Sequence, residues 1–262
     1  MKSKQFLLLS TMTRFSQKLK KIIIDTIFPI KCISCNTEGF WICSRCQLKI
    51  ATRDEHVCGI CEKTITPDGR TCQACKKHTG FSKNRIAILD GFIDACEYSN
   101  PTVSKAVHLF KYRFIPDLHI PLGDLLIKAF QKTNLPLPDI IVPVPLHQKR
   151  LRWRGFNQSE LLANHISKNL LPNSEIEICP NLLSRIKNTS PQMKVKDYQS
   201  RQQNIANAFC LSPNIEIKNK TILLVDDIAT TGSTINECVK ILKKSGGGDV
   251  FAIVIARQET KR

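Results

Sequence analysis

The stretch richest in chemistry is TILLVDDIATTGST, Thr221 to Thr234. Four apolar residues run into two adjacent carboxylates, Asp226 and Asp227, and a loop of small hydroxyl residues around Gly232 follows at once. Carboxylates accept hydrogen bonds from hydroxyls, while backbone N–H groups together with Thr and Ser hydroxyls hold a phosphate. A helix starting near Ser233 would direct its N-terminus, the positive end of its dipole, at that phosphate. Gly232 lets the backbone come close. The ligand that suits this pattern carries a phosphate at one end and a vicinal diol near it, as a sugar phosphate does. Adjacent strand residues point to opposite faces, so both acids should serve one diol only where the strand is already turning into the loop.

Two other designs put acids after an apolar strand. A receiver domain needs further residues well downstream, and only 35 of the 262 residues follow Asp227. A nucleotide hydrolase needs a partner G-x-x-x-x-G-K-[ST], which the sequence lacks. An ordinary strand–turn–helix with a Ser/Thr cap is the plain alternative; it leaves the paired carboxylates unexplained.

A second chemistry lies upstream. Eight of the twelve cysteines form C-x-x-C pairs: Cys32, Cys35, Cys43 and Cys46, then Cys58, Cys61, Cys72 and Cys75. Each C-x-x-C turn can aim two sulfurs at one tetrahedral ion, so eight thiolates make two structural zinc sites. An iron–sulfur cluster and redox dithiols are the competing readings, but a redox motif needs one pair near a βαβ unit, not four in tandem. Sequential pairing is expected over a cross-brace, because the loops of seven and ten residues between pairs close cheaply. Four thiolates leave zinc no open position, so these sites are assigned no catalysis. The isolated Cys96, Cys179, Cys210 and Cys238 read as packing or surface residues.

The elements that must position these groups follow from periodicity. RIAILDGFIDACEY reads as two short strands in a hairpin around Asp90-Gly91. Thr102 to Tyr112, Leu118 to Lys132, Asn157 to Leu170 and Ser233 to Lys244 carry helical spacing. Asp139 to Leu146, Ile222 to Val225 and Val250 to Ala256 read as buried strands, and Gly246-Gly247-Gly248 ends the last helix. Strands alternating with helices imply an α/β fold: a mainly parallel sheet with helices on both faces and ligands at the carboxyl ends of the strands. The expected division is a basic lead-in at 1–31, a cysteine module at 32–80 too poor in large apolar residues to fold on a core alone, and the α/β domain at 81–262.

The formal charge of +17 suggests anionic partners: nucleic acid, phosphorylated metabolites or anionic lipid. Lysines scattered through the whole chain are the plainer reading. The N-terminal apolar run is only Phe6 to Leu9, short of the roughly 7 to 15 residues of a signal peptide. No segment approaches the roughly 20 apolar residues of a membrane span. The expectation is a cytoplasmic protein with reduced cysteines, its lead-in placed on the next module or on the inner face of the membrane.

The segment VDDIATTGST resembles the motif with which type I phosphoribosyltransferases bind phosphoribosyl pyrophosphate (PRPP). VPVPLHQKRLRWRGFNQSELLA, RIKNTSPQMKVKDYQSRQQNIANAF, LFKYR and the double cysteine module are together similar to the ComF family of competence-associated, phosphoribosyltransferase-like proteins. The resemblance covers residues 22 to 257. It departs at Phe114, where glycine is expected after Lys111-Tyr112-Arg113. It implies a type I phosphoribosyltransferase-like fold, with Asp226 and Asp227 on the ribose hydroxyls and Ala229, Thr230, Thr231, Gly232, Ser233 and Thr234 on the 5-phosphate. A pyrophosphate leaving group, screened by Mg²⁺, would meet the basic loop that supplies Lys149, Arg150, Arg152 and Arg154, since Arg forks two oxygens at once. Arg154 and Gly155 are favoured because they open the helix that follows. A solvated basic turn is the plain alternative, and His147 reads as a loop residue. Arg185, Gln192 and Arg201 read as lid residues closing over substrate, against a plain polar surface loop. Trp41 and Trp153, expected in loops, are too few for a nucleic-acid platform. The implied activity is pentosyl transfer from Mg·PRPP. The competing reading is a non-catalytic accessory of DNA uptake that binds single-stranded DNA or a regulatory sugar phosphate.

Overall fold

The computed structural model describes residues 29–61, 63–66, 68–80, 89–189, 205–213 and 215–258. The chain divides into two compact units, Met1–Lys49 and Ile50–Arg262.

The first unit holds Cys32, Cys35, Cys43 and Cys46 around the short helix α1, Ser44–Leu48. Its four sulfurs lie within 4.8 Å of one another. A tetrahedral zinc with Zn–S bonds of about 2.3 Å sets its sulfurs about 3.8 Å apart, and Cys35 Sγ stands 3.6 Å from Cys43 Sγ. The Cys43 N–H points at Cys32 Sγ, 3.4 Å away. A backbone donor at sulfur favours the thiolate that a metal requires.

The second unit begins with the other cluster. Strands β1, His56–Val57, and β2, Ile65–Thr66, form a small antiparallel pair, followed by helix α2, Gln73–Gly80. The same features recur: sulfurs within 4.8 Å, Cys61 Sγ to Cys72 Sγ at 3.9 Å, and the Cys72 N–H on Cys58 Sγ at 3.4 Å. The pairing is therefore sequential in both clusters. Backbone bonds tie this segment to the edge of the main sheet: Arg53 N–H to the Ala95 carbonyl at 2.9 Å, Thr71 N–H to Asp90 at 2.8 Å and Phe92 N–H to Gly69 at 2.7 Å.

The main sheet has five parallel strands in the order β3-β9-β8-β4-β5. In chain order they are β3, Gly91–Glu97; helices α3, Pro101–Tyr112, and α4, His119–Gln131; β4, Ile140–Pro143; helices α5, Gln148–Arg154, and α6, Gln158–Asn169; and β5, Glu177–Ile178. An antiparallel pair, β6, Leu183–Arg185, and β7, Phe209–Leu211, precedes β8, Ile222–Ala229, helix α7, Ser233–Lys244, and β9, Val250–Arg257. The central strands are continuous apolar runs because both faces are covered. Helices α4 and α6 pack on one face and α7 on the other. There Ile235, Cys238, Val239 and Leu242 meet Ile222 and Leu224 of β8 and Val250, Ala252 and Val254 of β9.

Four expectations change. The Asp90-Gly91 hairpin is not formed by the described residues: β3 runs parallel to β9, and Asp90 Oδ2 accepts the Val250 N–H. Residues 86–88 of the expected partner strand lie outside the described residues. Strand β8 continues past Val225 to Ala229, because Ile228 and Ala229 still pair with Ala256 and Arg257. The basic segment after β4 is a helix, not a loop, so Trp153 is helical. His147 caps it, accepting the Lys149 N–H, and Gly155 ends it at φ +82°. No described helix is long and apolar enough to cross a membrane.

Structural zinc contributes an apparent 10–16 kcal/mol or so in small peptides, as much as the whole stability of a typical domain, about 5–15 kcal/mol. From sequence, chelation should unfold residues 32–75; the sheet bonds refine that expectation. Hydrogen exchange after chelation should show protection lost over residues 32–46 and at the Cys58 amide. The amides of Arg53, Thr71 and Phe92 should keep theirs. Unchanged protection at all of these positions would show that metal does not hold the clusters together.

Candidate functional site

Strand β8 delivers Asp226 and Asp227 to the carboxyl edge of the sheet, flanked by β4 and β9. By alternation Asp226 follows Ile222 and Leu224, and Asp227 follows Leu223 and Val225. The two carboxyls leave opposite faces, yet both line one cleft. Each accepts the backbone N–H of its successor: Asp227 N to Asp226 Oδ1 at 2.8 Å, and Ile228 N to Asp227 Oδ1 at 2.6 Å. The Ser159 hydroxyl donates to Asp226 Oδ1 at 2.9 Å, and Lys111 Nζ lies 2.9 Å from Asp227 Oδ1.

Ser159 is placed by the start of α6. The Asn157 side chain accepts the Ser159 N–H at 3.2 Å and donates to the Val144 carbonyl at 3.1 Å, which pins the helix start to the end of β4. Burial, together with the Asp227 carboxylate, pushes the Asp226 carboxyl up to about 7, against the opposing pull of Lys111.

The hydroxyl loop adjoins the acids. Thr230 and Thr234 line the cleft. Behind them Thr231 Oγ1 and Ser233 Oγ are 2.7 Å apart and buried, and Ala229 is buried as well. Gly232 sits at φ +67° as the N-cap of α7. A Cβ there would meet only Asn236 Nδ2, at 3.8 Å, so glycine is needed for its backbone conformation and not for room. Gly232 has no side chain to cap the first-turn N–H groups, the donors that a phosphate takes.

Arg150, Arg154 and Arg185 line the same cleft. Arg150 donates to the Thr189 carbonyl and Arg185 to the Thr189 hydroxyl, while Arg154 Nη1 donates to Gln158 Oε1 at 2.9 Å. Burial first, then Arg150, pushes Arg185 down to about 10. Three guanidiniums gathered in one cleft repel one another, and an anion between them relieves that repulsion.

The structure therefore brings Asp226, Asp227, Thr230, Thr234, Arg150, Arg154 and Arg185 together. Lys149 on α5 and Gly155 just past its end are exposed and do not line the cleft; Arg154 and Gly155 close that helix instead of opening the next. Gln192 and Arg201 lie outside the described residues. Lys111, Ser159 and Gln158 were not picked out from sequence. Lys111 had two available signals: it lies in LFKYR, one of the segments similar to the ComF family, and with Val107 it forms an i, i+4 pair at the end of α3, a charge continuing an apolar row. Ser159 lies in the segment VPVPLHQKRLRWRGFNQSELLA and was given no role there.

Comparison with known proteins agrees with this geometry. A phosphoribosyl transferase domain model matches residues 157–262, and a double zinc ribbon domain model matches residues 23–82. Competence protein F of Haemophilus influenzae is 31% identical over 242 residues, which cover 88% of this chain and 98% of that protein. The chain belongs to the ComF family. The DNA utilization protein YhgH of Escherichia coli strain K12 is 29% identical, with 82% of this chain and 96% of that protein covered. Competence protein ComFC of Bacillus subtilis is 23% identical, with 78% and 79% covered. The ComF chain thus has a phosphoribosyltransferase-type domain, and its two four-cysteine sites fit the double zinc ribbon. At the departure from the ComF pattern, Phe114 adopts φ +55°, the backbone a glycine would take, and its ring meets Trp153 edge-on at 4.8 Å.

A raised carboxyl opposes folding only where it is ionised, so its effect is absent below the unfolded value and complete above the folded one. The Asp226→Asn variant should therefore match wild type near pH 4 and be the more stable above about pH 7, by on the order of 4 kcal/mol. Thermal melts across that range test it. A difference that does not change with pH would mean Asp226 is ionised throughout.

Proposed function

We propose that the cleft binds Mg·PRPP and that the protein is a phosphoribosyltransferase. The observation that carries this reading is the carboxylate pair at the end of β8 beside the Gly232 loop, with Arg150, Arg154 and Arg185 in the same cleft. Asp226 and Asp227 would accept hydrogen bonds from the ribose hydroxyls. The Ala229 to Thr234 loop and the α7 N-terminus would hold the 5-phosphate. In the reaction the bond from the anomeric carbon to the pyrophosphate oxygen breaks through an oxocarbenium-like centre, and an acceptor nucleophile takes pyrophosphate's place. The arginines stabilise the departing charge. Mg²⁺ carried in with the ligand would screen the pyrophosphate. Arg185, with Gln192 and Arg201, is assigned to a lid over the substrate. Zinc–thiolate sites fit a reducing compartment, so we place the protein in the cytoplasm.

Calorimetric titration of the zinc-loaded chain with Mg·PRPP tests this. Hydrogen bonds to charged groups are worth roughly 1.5–3 kcal/mol, so Asp226→Asn and Asp227→Asn should each weaken binding by about 10- to 100-fold. Unchanged affinity in both variants would reject the assignment.

A second reading is an accessory role in DNA uptake, in line with the names of the relatives. It is favoured by α5, where Trp153 is 63% exposed among Lys149, Arg150, Arg152 and Arg154. Exposed aromatics with basic neighbours suit single-stranded nucleic acid. Binding of a DNA oligonucleotide should then weaken steeply with salt, and Arg152→Ala should make that dependence shallower. A flat salt response in wild type would reject this reading.

A further inference from the structure

We propose that Lys111 is a positioning residue of this cleft: its ammonium group holds one oxygen of Asp227 and orients the acid pair for the sugar hydroxyls. The inference rests on the PRPP-binding reading above and adds the group that makes the acid pair usable.

Two adjacent carboxyls in a partly buried cleft repel each other and resist ionising together. Their partners differ in kind. Asp226 receives neutral donors, the Ser159 hydroxyl and the Asp227 N–H. Asp227 receives Lys111 Nζ at 2.9 Å, with the two side chains only 17% and 11% exposed. Among the described residues, Lys111 supplies the one ion pair to either carboxyl. The other charged or titratable groups of the cleft and around Asp226 are Arg185 from β6, Cys238 from α7, Arg150 and Arg154 from α5, His108 and Tyr112 from α3, and Tyr98 just after β3. The arginines donate to Thr189 and Gln158 and make no ion pair with either carboxyl among the described residues.

Lys111 stands in the last turn of α3, where the negative end of the helix dipole favours a cation. An ammonium is compact and has three donors, so it can hold one Asp227 oxygen and leave the other for a ligand. Lys111 also opposes the upward push that burial and Asp227 exert on Asp226. Without it, Asp226 should ionise only at a higher pH.

The test is titration of the full, zinc-loaded chain with Mg·PRPP between about pH 6 and 9, in wild type, Lys111→Arg, Lys111→Met and Lys111→Gln. Ionisation of the ligand is common to all four, so a difference in midpoint belongs to the protein. Wild-type affinity should rise as the pH passes about 7. Lys111→Met and Lys111→Gln should bind about 10- to 100-fold more weakly at neutral pH. They should recover at alkaline pH, with midpoints moved up by a unit or more. Lys111→Arg should keep the wild-type midpoint. Gln retains a hydrogen-bond donor without the charge, so it covers the case in which the Met variant does not fold. Wild-type midpoints in the neutral variants, or a loss of equal size at every pH, would leave Lys111 a merely structural role and overturn the proposal alone. A wild-type chain that binds no PRPP at any pH would overturn the PRPP reading and the proposal with it.

Discussion

Two negative charges side by side at the end of a buried strand are the constraint around which the α/β unit is arranged. A carboxylate loses solvation on entering a protein, and a second one on the next residue adds repulsion. The fold answers from several sides. Helix α3 supplies Lys111, helix α6 supplies Ser159, and the backbone of β8 itself turns two N–H groups onto the acids. Helix α7, across a glycine in a left-handed conformation, points its N-terminus toward the same edge. The arrangement holds only because the sheet beneath it is rigid: β8 is flanked by β4 and β9 and covered on both faces.

The zinc ribbons solve a different problem. Residues 32–75 contain too few large side chains to bury a core, so sulfur–metal bonds stand in for one. The two clusters repeat one geometry, including the N–H to sulfur contact of the third cysteine on the first. They differ in what surrounds them. The second is joined to the sheet edge by the backbone of Arg53, Gly69 and Thr71, which fills the open side of β3. An unpaired edge strand would otherwise invite pairing with another chain.

Much of this was legible in the sequence where the signal is local. Helix α7 has the bounds its periodicity gives, Ser233 to Lys244, and the C-x-x-C spacing named both metal clusters. What was missed depends on partners far along the chain. Asp90-Gly91 has the residues of a hairpin turn, but Asp90 is engaged by Val250 and Lys243, more than 150 residues away. The short strands β5, β6 and β7 exist only through their neighbours. At the site, the acids and the hydroxyl loop announced themselves as a contiguous motif. Lys111 and Ser159 did not, because each is one polar residue in a helix, and only the packing of α3 and α6 brings it to β8. The reach of β8 to Ala229 was equally invisible, since it follows from pairing with the end of β9.

The most direct measurement is a crystal structure of the zinc-loaded chain with Mg·PRPP. The expected result is a ribose whose hydroxyls contact Asp226 and Asp227, a 5-phosphate on the Thr230 to Thr234 loop, and a pyrophosphate facing Arg150, Arg154 and Arg185. A ligand bound elsewhere, or one whose phosphate avoids that loop while the sugar lies away from the acids, would contradict the assignment of this cleft.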